Sequence, residues 1–288
     1  MKPDTGKILS SYGLKYHPFD TDRPTSSIYA HPWMEREAWS IENLVMDGGI
    51  GCIVGSPGAG KSAFLRYLNH RLSEIPDAEV VHMDRPQSSL ADFYRELGTA
   101  FGLALGVSRR YGSFNTLRKK WATHIGSTHL RPVLIIDEAQ LMLPQTLTEL
   151  RIMSSENFDS RKLLTIILAG DHRLREKLDT PDLLPLKSRI NPYIDLEPVS
   201  GEAAEAMLRH VLLDAGNPAL MSDKLIKLLS EQCSGDPRTL MKTGRNLLLA
   251  AYSQDKDILD EGLYYDVIQS RLGKAKAPKG RRQSRERA

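Results

Sequence analysis

Only two cysteines occur in 288 residues. Cys52 and Cys233 lie far apart and each falls inside an apolar pattern, which excludes a disulfide framework or a zinc knuckle and predicts two buried thiols. No apolar run approaches the roughly 18 residues of a membrane span. The N-terminus, "MKPDTGKILSSYGLKYHPF", lacks the apolar stretch of a secretory signal. These absences predict a cytoplasmic protein with no membrane partner. No internal repeat at a fixed period appears. An excess of one charge sign is nearly absent as well, at +3 overall, but that figure hides an asymmetry. From Lys274 onward "KAKAPKGRRQSRERA" carries +6, which leaves −3 on the rest. With nothing apolar larger than alanine or proline, this tail cannot fold alone. It is either a solubilising end or a contact for DNA or a partner protein.

What is present is ordinary for a globular chain, 41% hydrophobic and 26% charged. Apolar runs of four to eight residues alternate with segments of helical period, the signature of βα units around a parallel sheet. The runs are "GCIVG", "EVVHM", "PVLIID", "LLTIILAG" and "YIDLE". Helical patterns between them cover 61–74, 89–103, 114–125, 145–155 and 171–178. After Glu197-Pro198 the strand runs stop and helical patterns follow one another over 201–216, 222–233, 237–253 and 260–272. The expected organisation is an N-terminal segment, 1–45, an α/β domain, 46–197, an all-helical domain, 198–272, and the basic tail, 273–288.

Gly55-Ser56-Pro57-Gly58-Ala59-Gly60-Lys61-Ser62 fits G-x-x-x-x-G-K-[ST] between a strand and a helix, with Ala63 continuing into the helix. The glycines let backbone N–H groups converge on phosphate oxygens, and the helix start adds its positive end. Lys61 then reaches the β- and γ-phosphates, and the Ser62 hydroxyl ligates Mg²⁺. "RPVLIIDEAQ" ends a strand in two carboxylates at the sheet edge where ligands of parallel sheets bind. Asp137 is placed to hold Mg²⁺ and Glu138 to polarise the attacking water. ATP and Mg²⁺ are the implied cofactors, and ATP hydrolysis the implied activity.

The order of glycine loop, D-E-A-Q, "LPLKSRI" and "SGDPRTL", with a helical lid after the last strand, resembles an AAA+ P-loop NTPase. More narrowly, "YGLKYHPF", "IIDEAQLM", "LTELRIMSSENFDSRKLLTIILAG" and "SGDPR" resemble the ExeA/GspA-type ATPases of general secretion and the TniB/TnsC-type ATPases of DNA transposition. The resemblance spans roughly residues 12–272. It implies that Arg189 is an arginine finger offered to a neighbouring subunit, with Arg173 and Arg175 as rivals and an edge salt bridge as the alternative role. It also implies that Arg238 senses the nucleotide at a lid-helix start, with an ordinary capping-region arginine as the alternative, and that Phe19, Ile28 and Tyr29 fold over the adenine, with packing without base contact as the alternative. Asp171 departs from the pattern, standing where these families carry an amide or hydroxyl facing the γ-phosphate. A carboxylate there repels phosphate unless protonated or turned toward a cation, and His172 is the possible substitute.

"SRRYGSFNTLRKKWATHI" holds Arg109, Arg110, Arg118, Lys119 and Lys120 with Tyr111 and Trp121 interleaved. Basic and aromatic side chains together can follow a phosphate backbone; the alternative is a solvated helix with Trp121 turned to the core. The resulting expectation is an AAA+ regulator of transposition that forms a ring or filament on double-stranded DNA with ATP, is released by hydrolysis and presents the target to a transposase. A secretion-assembly ATPase or a relative of replication initiators and helicase loaders are the alternatives, and Asp171 keeps open a nucleotide-gated scaffold without useful hydrolysis. The first continues into a transmembrane helix and the second into a winged helix, whereas this chain ends about 16 residues past its lid, which weighs for transposition.

Overall fold

In the computed structural model the described residues are 5–83, 86–103, 110–156, 160–233 and 235–275. Two helices precede the first strand, α1 (Thr5–Ser11) and α2 (Pro32–Asp47). The second was not expected from the pattern, yet its local signals are complete. Pro32 stands in its first turn, His31 Nδ1 accepts from the Trp33 N–H, and Gly48 ends it at φ +75°. Met34, Ala38, Ile41 and Val45 form its buried stripe. Burying Met34, Ile41 and Val45 contributes about 1.5–3 kcal/mol apiece.

The five apolar runs form five parallel strands of one sheet. These are β1 (Ile50–Gly55), β2 (Ala78–Met83), β3 (Arg131–Ile136), β6 (Thr165–Gly170) and β7 (Ile190–Leu196), with the two-residue strands β4 (Ser155–Glu156) and β5 (Arg161–Lys162) pairing separately as an antiparallel ladder. The order is β2-β3-β6-β1-β7. Strands β1 and β6 are buried along their whole length, as covering by helices on both faces requires. The crossovers use α3 (Lys61–Ser73), α4 (Leu90–Ala100), α5 (Arg110–Thr128), α6 (Pro144–Met153), α7 (His172–Leu178) and α8 (Leu184–Lys187). One core layer joins α4 and α5 to the sheet through Phe93, Leu97, Phe101, Leu117 and Trp121. The opposite layer holds α2 and α3 through Ile41, Phe64 and Leu68.

The helices α9 (Gly201–Asp214), α10 (Asp223–Gln232), α11 (Pro237–Ser253) and α12 (Glu261–Ala275) follow. Ser200 and Ser222 cap α9 and α10 through the N–H groups of Ala203 and Leu225. By contacts the α/β unit comprises Ile28–Val199 and Gly235–Arg238, and the described residues of 1–27, 200–234 and 239–288 form the helical unit. The N-terminal segment is therefore divided between the two. Its first part is sewn into the helical unit: Lys15 N–H donates to Ala215 O (2.9 Å), Asn217 Nδ2 to Tyr12 O (2.9 Å) and Tyr12 Oη to Lys256 O (2.8 Å). Phe19, 3% exposed, lies against Gly244 of α11. That packing corrects the expectation of an adenine contact at Phe19: its ring is spent in the helical core.

Candidate nucleotide site

Three strand tips meet at the C-terminal edge of the sheet. Strand β6 lies between β1 and β3, so Asp171, at its tip, stands between the phosphate loop after β1 and the acid pair after β3. The loop curls through Gly58 at φ +95° and Gly60 at φ +96°, values a side chain would resist. Gly60 caps α3 without any side-chain bond, which leaves the first-turn N–H groups available to an anion. Lys61 is 8% exposed, and its Nζ donates to Gly55 O (2.8 Å) and Ser56 O (3.2 Å). A phosphate oxygen accepts more strongly than these neutral carbonyls, so a bound nucleotide would draw the ammonium from them. Ser62 is exposed and Asp137 half-buried. One oxygen of Asp137 accepts from the Glu138 N–H (2.8 Å). A hydroxyl and a carboxylate suit Mg²⁺, which binds few protein oxygens and takes the rest from phosphates and water.

Glu138 sits at φ +54°, a left-handed backbone that turns the chain sharply out of β3. Its carboxylate accepts from Gln140 Nε2 (2.6 Å), and Gln140 Oε1 in turn accepts from the Asp171 N–H (3.3 Å). Asp171 caps α7 through the Arg173 N–H (2.9 Å) and is forked by the Arg173 guanidinium, with Nη2 at 2.6 Å. Hydrogen bonds from Arg173 hold its carboxyl below the usual range, with Lys61 a further favourable charge. Asp171 is thus a cap and an ion-pair partner turned to a cation, and the repulsion its charge would bring is already compensated. His172, one residue on, places Nε2 2.9 Å from the Ser56 hydroxyl of the phosphate loop. Neither this bond nor the role of Gln140 was visible in the sequence, because both depend on which strand tips are neighbours.

Residues 45–178 match the family model described as AAA domain. The fold is the AAA+ P-loop NTPase fold. Among solved structures, the ORC2 protein of Aeropyrum pernix in its ADPNP-ADP complexes aligns with a TM-score of 0.69 at 14% identity, over 88% of this chain and 71% of that one. The ORC1 protein of the same organism in complex with DNA aligns with a TM-score of 0.63 at 16% identity, over 88% and 68%. Among curated proteins, general secretion pathway protein A of Aeromonas hydrophila is 26% identical over 250 residues. That match covers 84% of this chain and 44% of the relative, so the chain spans less than half the relative's length.

On the AAA+ frame, Arg189 falls at the edge opposite the phosphate loop. It precedes Ile190, which pairs with Ile50 at the start of β1, whereas Gly55 at the other end pairs with Leu196. Six residues of strand separate the two edges by about 20 Å. Arg189 Nη1 donates to Pro185 O (2.8 Å), and the residue lines a groove of about 520 Å³ with Trp39, Asp47 and Lys162. The rival arginines are committed elsewhere, Arg173 to Asp171 and Arg175 to Tyr193 (3.2 Å) and Asp195. Gly235–Arg238 group with the α/β unit, and Asp236 Oδ1 lies 2.5 Å from where a Cβ on Gly58 would stand. Arg238, exposed, follows two residues later. Ile28 shares a buried cluster with Ala59 of the loop, and Tyr29 meets His31 edge-on at 6.2 Å.

Of the basic stretch expected to hold DNA, the described side chains of Arg118 and Lys120 are spent on contacts inside the α/β unit. Arg109 lies outside the described residues, and of Arg110 only the backbone, at the start of α5, is described. Arg118 donates to Ser155 O (2.8 Å) and stacks on Phe114 at 5.1 Å, and Lys120 donates to Phe101 O. Trp121 is 0% exposed and meets Phe101 edge-on at 5.2 Å. This corrects the expectation for Trp121, whose apolar surface is worth more in the core than against a duplex. Among the described side chains of the set, Lys119 is the exposed cation.

Proposed function

We propose that the chain is an ATPase of the AAA+ type, a switch that binds ATP and Mg²⁺, assembles copies of itself on double-stranded DNA, and in that form regulates DNA transposition by presenting a target to a transposase. The observation that carries the reading is the split of the machinery between two sheet edges. Phosphate loop, Asp137 and Glu138 share one edge, and Arg189 stands about 20 Å away on the other. A guanidinium so placed serves no phosphate on its own copy, so a complete site takes two copies. In each, Glu138 would polarise water, Ser62 and Asp137 would hold Mg²⁺, and Arg238 and Tyr29 would contact the nucleotide. With Asp171 ion-paired, His172 is the group at the β6 tip that reaches the phosphate loop. Hydrolysis would release the assembly, and a partner could set its rate.

DNA enters through the complex with DNA named for the structurally similar ORC1 protein and through the basic tail. Most of the tail lies outside the described residues. A second reading, an ATPase serving secretion assembly, is favoured by the identity with general secretion pathway protein A. Among the described residues no helix is long and apolar enough to cross a membrane. The deciding experiment incubates the protein with a labelled random-sequence duplex and ATP, ADP or no nucleotide, and images the same samples by negative-stain electron microscopy. Rings or filaments on DNA only with ATP are expected. ATP binding without DNA binding in any state would sink the transposition reading and favour the secretion one.

A further inference from the structure

The geometry points to Gln140 as a positioning residue for Glu138, tying the water-polarising carboxylate to the tip of the neighbouring strand β6; the inference rests on the ATPase reading above. Gln140 is 5% exposed, although its amide is fully polar. A buried amide is costly unless both its ends are bonded. Nε2 donates to the Glu138 carboxylate (2.6 Å), and Oε1 accepts from the Asp171 N–H (3.3 Å). One side chain thereby spans from the acid pair after β3 to the turn that carries Asp171 and His172.

Two features of the chain hold that residue in place. Lys177 of α7 donates to the carbonyl oxygens of Gln140 and, at 2.7 Å, Met142. Strand β6 ends in Gly170, where a Cβ would stand 2.5 Å from Gln140 Oε1, so the strand leaves room for the amide by having no side chain there. Glu138 itself is exposed on a left-handed backbone, and Gln140 is the side chain that fixes its carboxylate. An exposed glutamate without such a partner samples several rotamers, and each spends time away from the attacking water. A residue whose effect is orientation alters turnover and leaves nucleotide affinity unchanged, since the phosphates are held by the loop.

The test compares wild type, Glu138→Gln, Gln140→Met, Gln140→Glu and Gly170→Ala by steady-state ATP hydrolysis, fluorescent-nucleotide affinity and thermal midpoint. Methionine keeps the length and loses both bonds. Glutamate keeps the acceptor for Asp171 N–H and sets a like charge against Glu138. We expect nucleotide affinity within about twofold of wild type throughout, with kcat lowered about tenfold to a hundredfold in both Gln140 variants, Gln140→Glu at least as far as Gln140→Met. Gly170→Ala, which displaces the amide without touching Glu138, lowers kcat in the same direction. A purely structural Gln140 would instead give kcat values that follow the thermal midpoint. Gln140→Met turning over at the wild-type rate, while Glu138→Gln does not, would overturn this inference alone. A wild type that hydrolyses nothing, with or without DNA, would overturn the ATPase reading and this inference with it.

Discussion

Asp171 and Arg173 show how a single pair would decide what a bound phosphate meets. The carboxyl is held below its ordinary range by the guanidinium, so it is charged throughout the neutral region and its charge is compensated. Arg173→Ala removes the compensation and leaves a bare carboxylate at the strand tip. ATP affinity should fall by about three- to tenfold, as expected for a partly screened charge, and ADP affinity by less, because ADP lacks the γ-phosphate. Fluorescent-nucleotide titrations of both ligands check this, and equal losses would remove the γ-phosphate from the account. The pH dependence has a definite sign. A carboxyl with a lowered folded-state pKa contributes above its unfolded value of about 3.9 and loses that contribution as pH falls through the folded value. Asp171 should therefore bring no change in stability between pH 6 and 8, which thermal midpoints across that range test. Trp121 belongs to the same scale with a different result: Trp121→Ala should cost about 3–5 kcal/mol in urea unfolding, the loss of a large buried ring. Lys119→Ala should leave stability unchanged.

Helix α11 illustrates an element whose sequence disagrees with its own propensity for a reason outside it. Gly244 lies mid-helix, where alanine ordinarily gains about 0.5–1 kcal/mol. An added Cβ would stand 2.7 Å from the Phe19 ring, and overpacking of this kind costs about 1–3 kcal/mol. Gly244→Ala should therefore lower the unfolding free energy of the helical unit, and a gain would show that the Phe19 strap yields. The strap also marks where the sequence stops being legible. Strands β1, β2, β3, β6 and β7 were readable because buried parallel strands are written as short continuous apolar runs, and the phosphate loop because its chemistry fixes residue types at fixed spacing. Helix α2 is hard to read because its stripe of Met34, Ala38, Ile41 and Val45 is diluted by charged residues. Charge density likewise pointed to α5 as a DNA surface, but density does not tell a free cation from one spent on a carbonyl, as Arg118 and Lys120 are. Gln140 was legible as a residue of D-E-A-Q and illegible as a bridge, since only the sheet order brings it beside Asp171.

For the molecule as a whole, the distance between Gly55 and Arg189 turns a residue assignment into a statement about stoichiometry. The strand register separates them by about 20 Å, so on the proposed reading of Arg189 as an arginine finger a functional site would unite the phosphate loop of one copy with Arg189 of another. Such a contact joins unlike surfaces, and contacts of that kind build rings or filaments in place of a closed twofold pair. Trp39, 63% exposed, borders the same groove as Arg189 and would be covered in that arrangement. The consequence is complementation between two inactive variants. Lys61→Ala cannot hold the phosphates but keeps its arginine, and Arg189→Ala binds ATP but cannot serve its neighbour. Each alone should hydrolyse no ATP, and an equal mixture should place an intact loop against an intact arginine at about a quarter of the contacts. Activity in the mixture near a quarter of wild type, rising with total protein concentration, is the expected outcome. If Arg189→Ala is fully active by itself, the arginine is an edge residue and the two-copy site falls. If both variants are inactive and remain so when mixed at concentrations where wild type assembles, Arg189 and Lys61 act within one copy, against the separation that the strand register imposes.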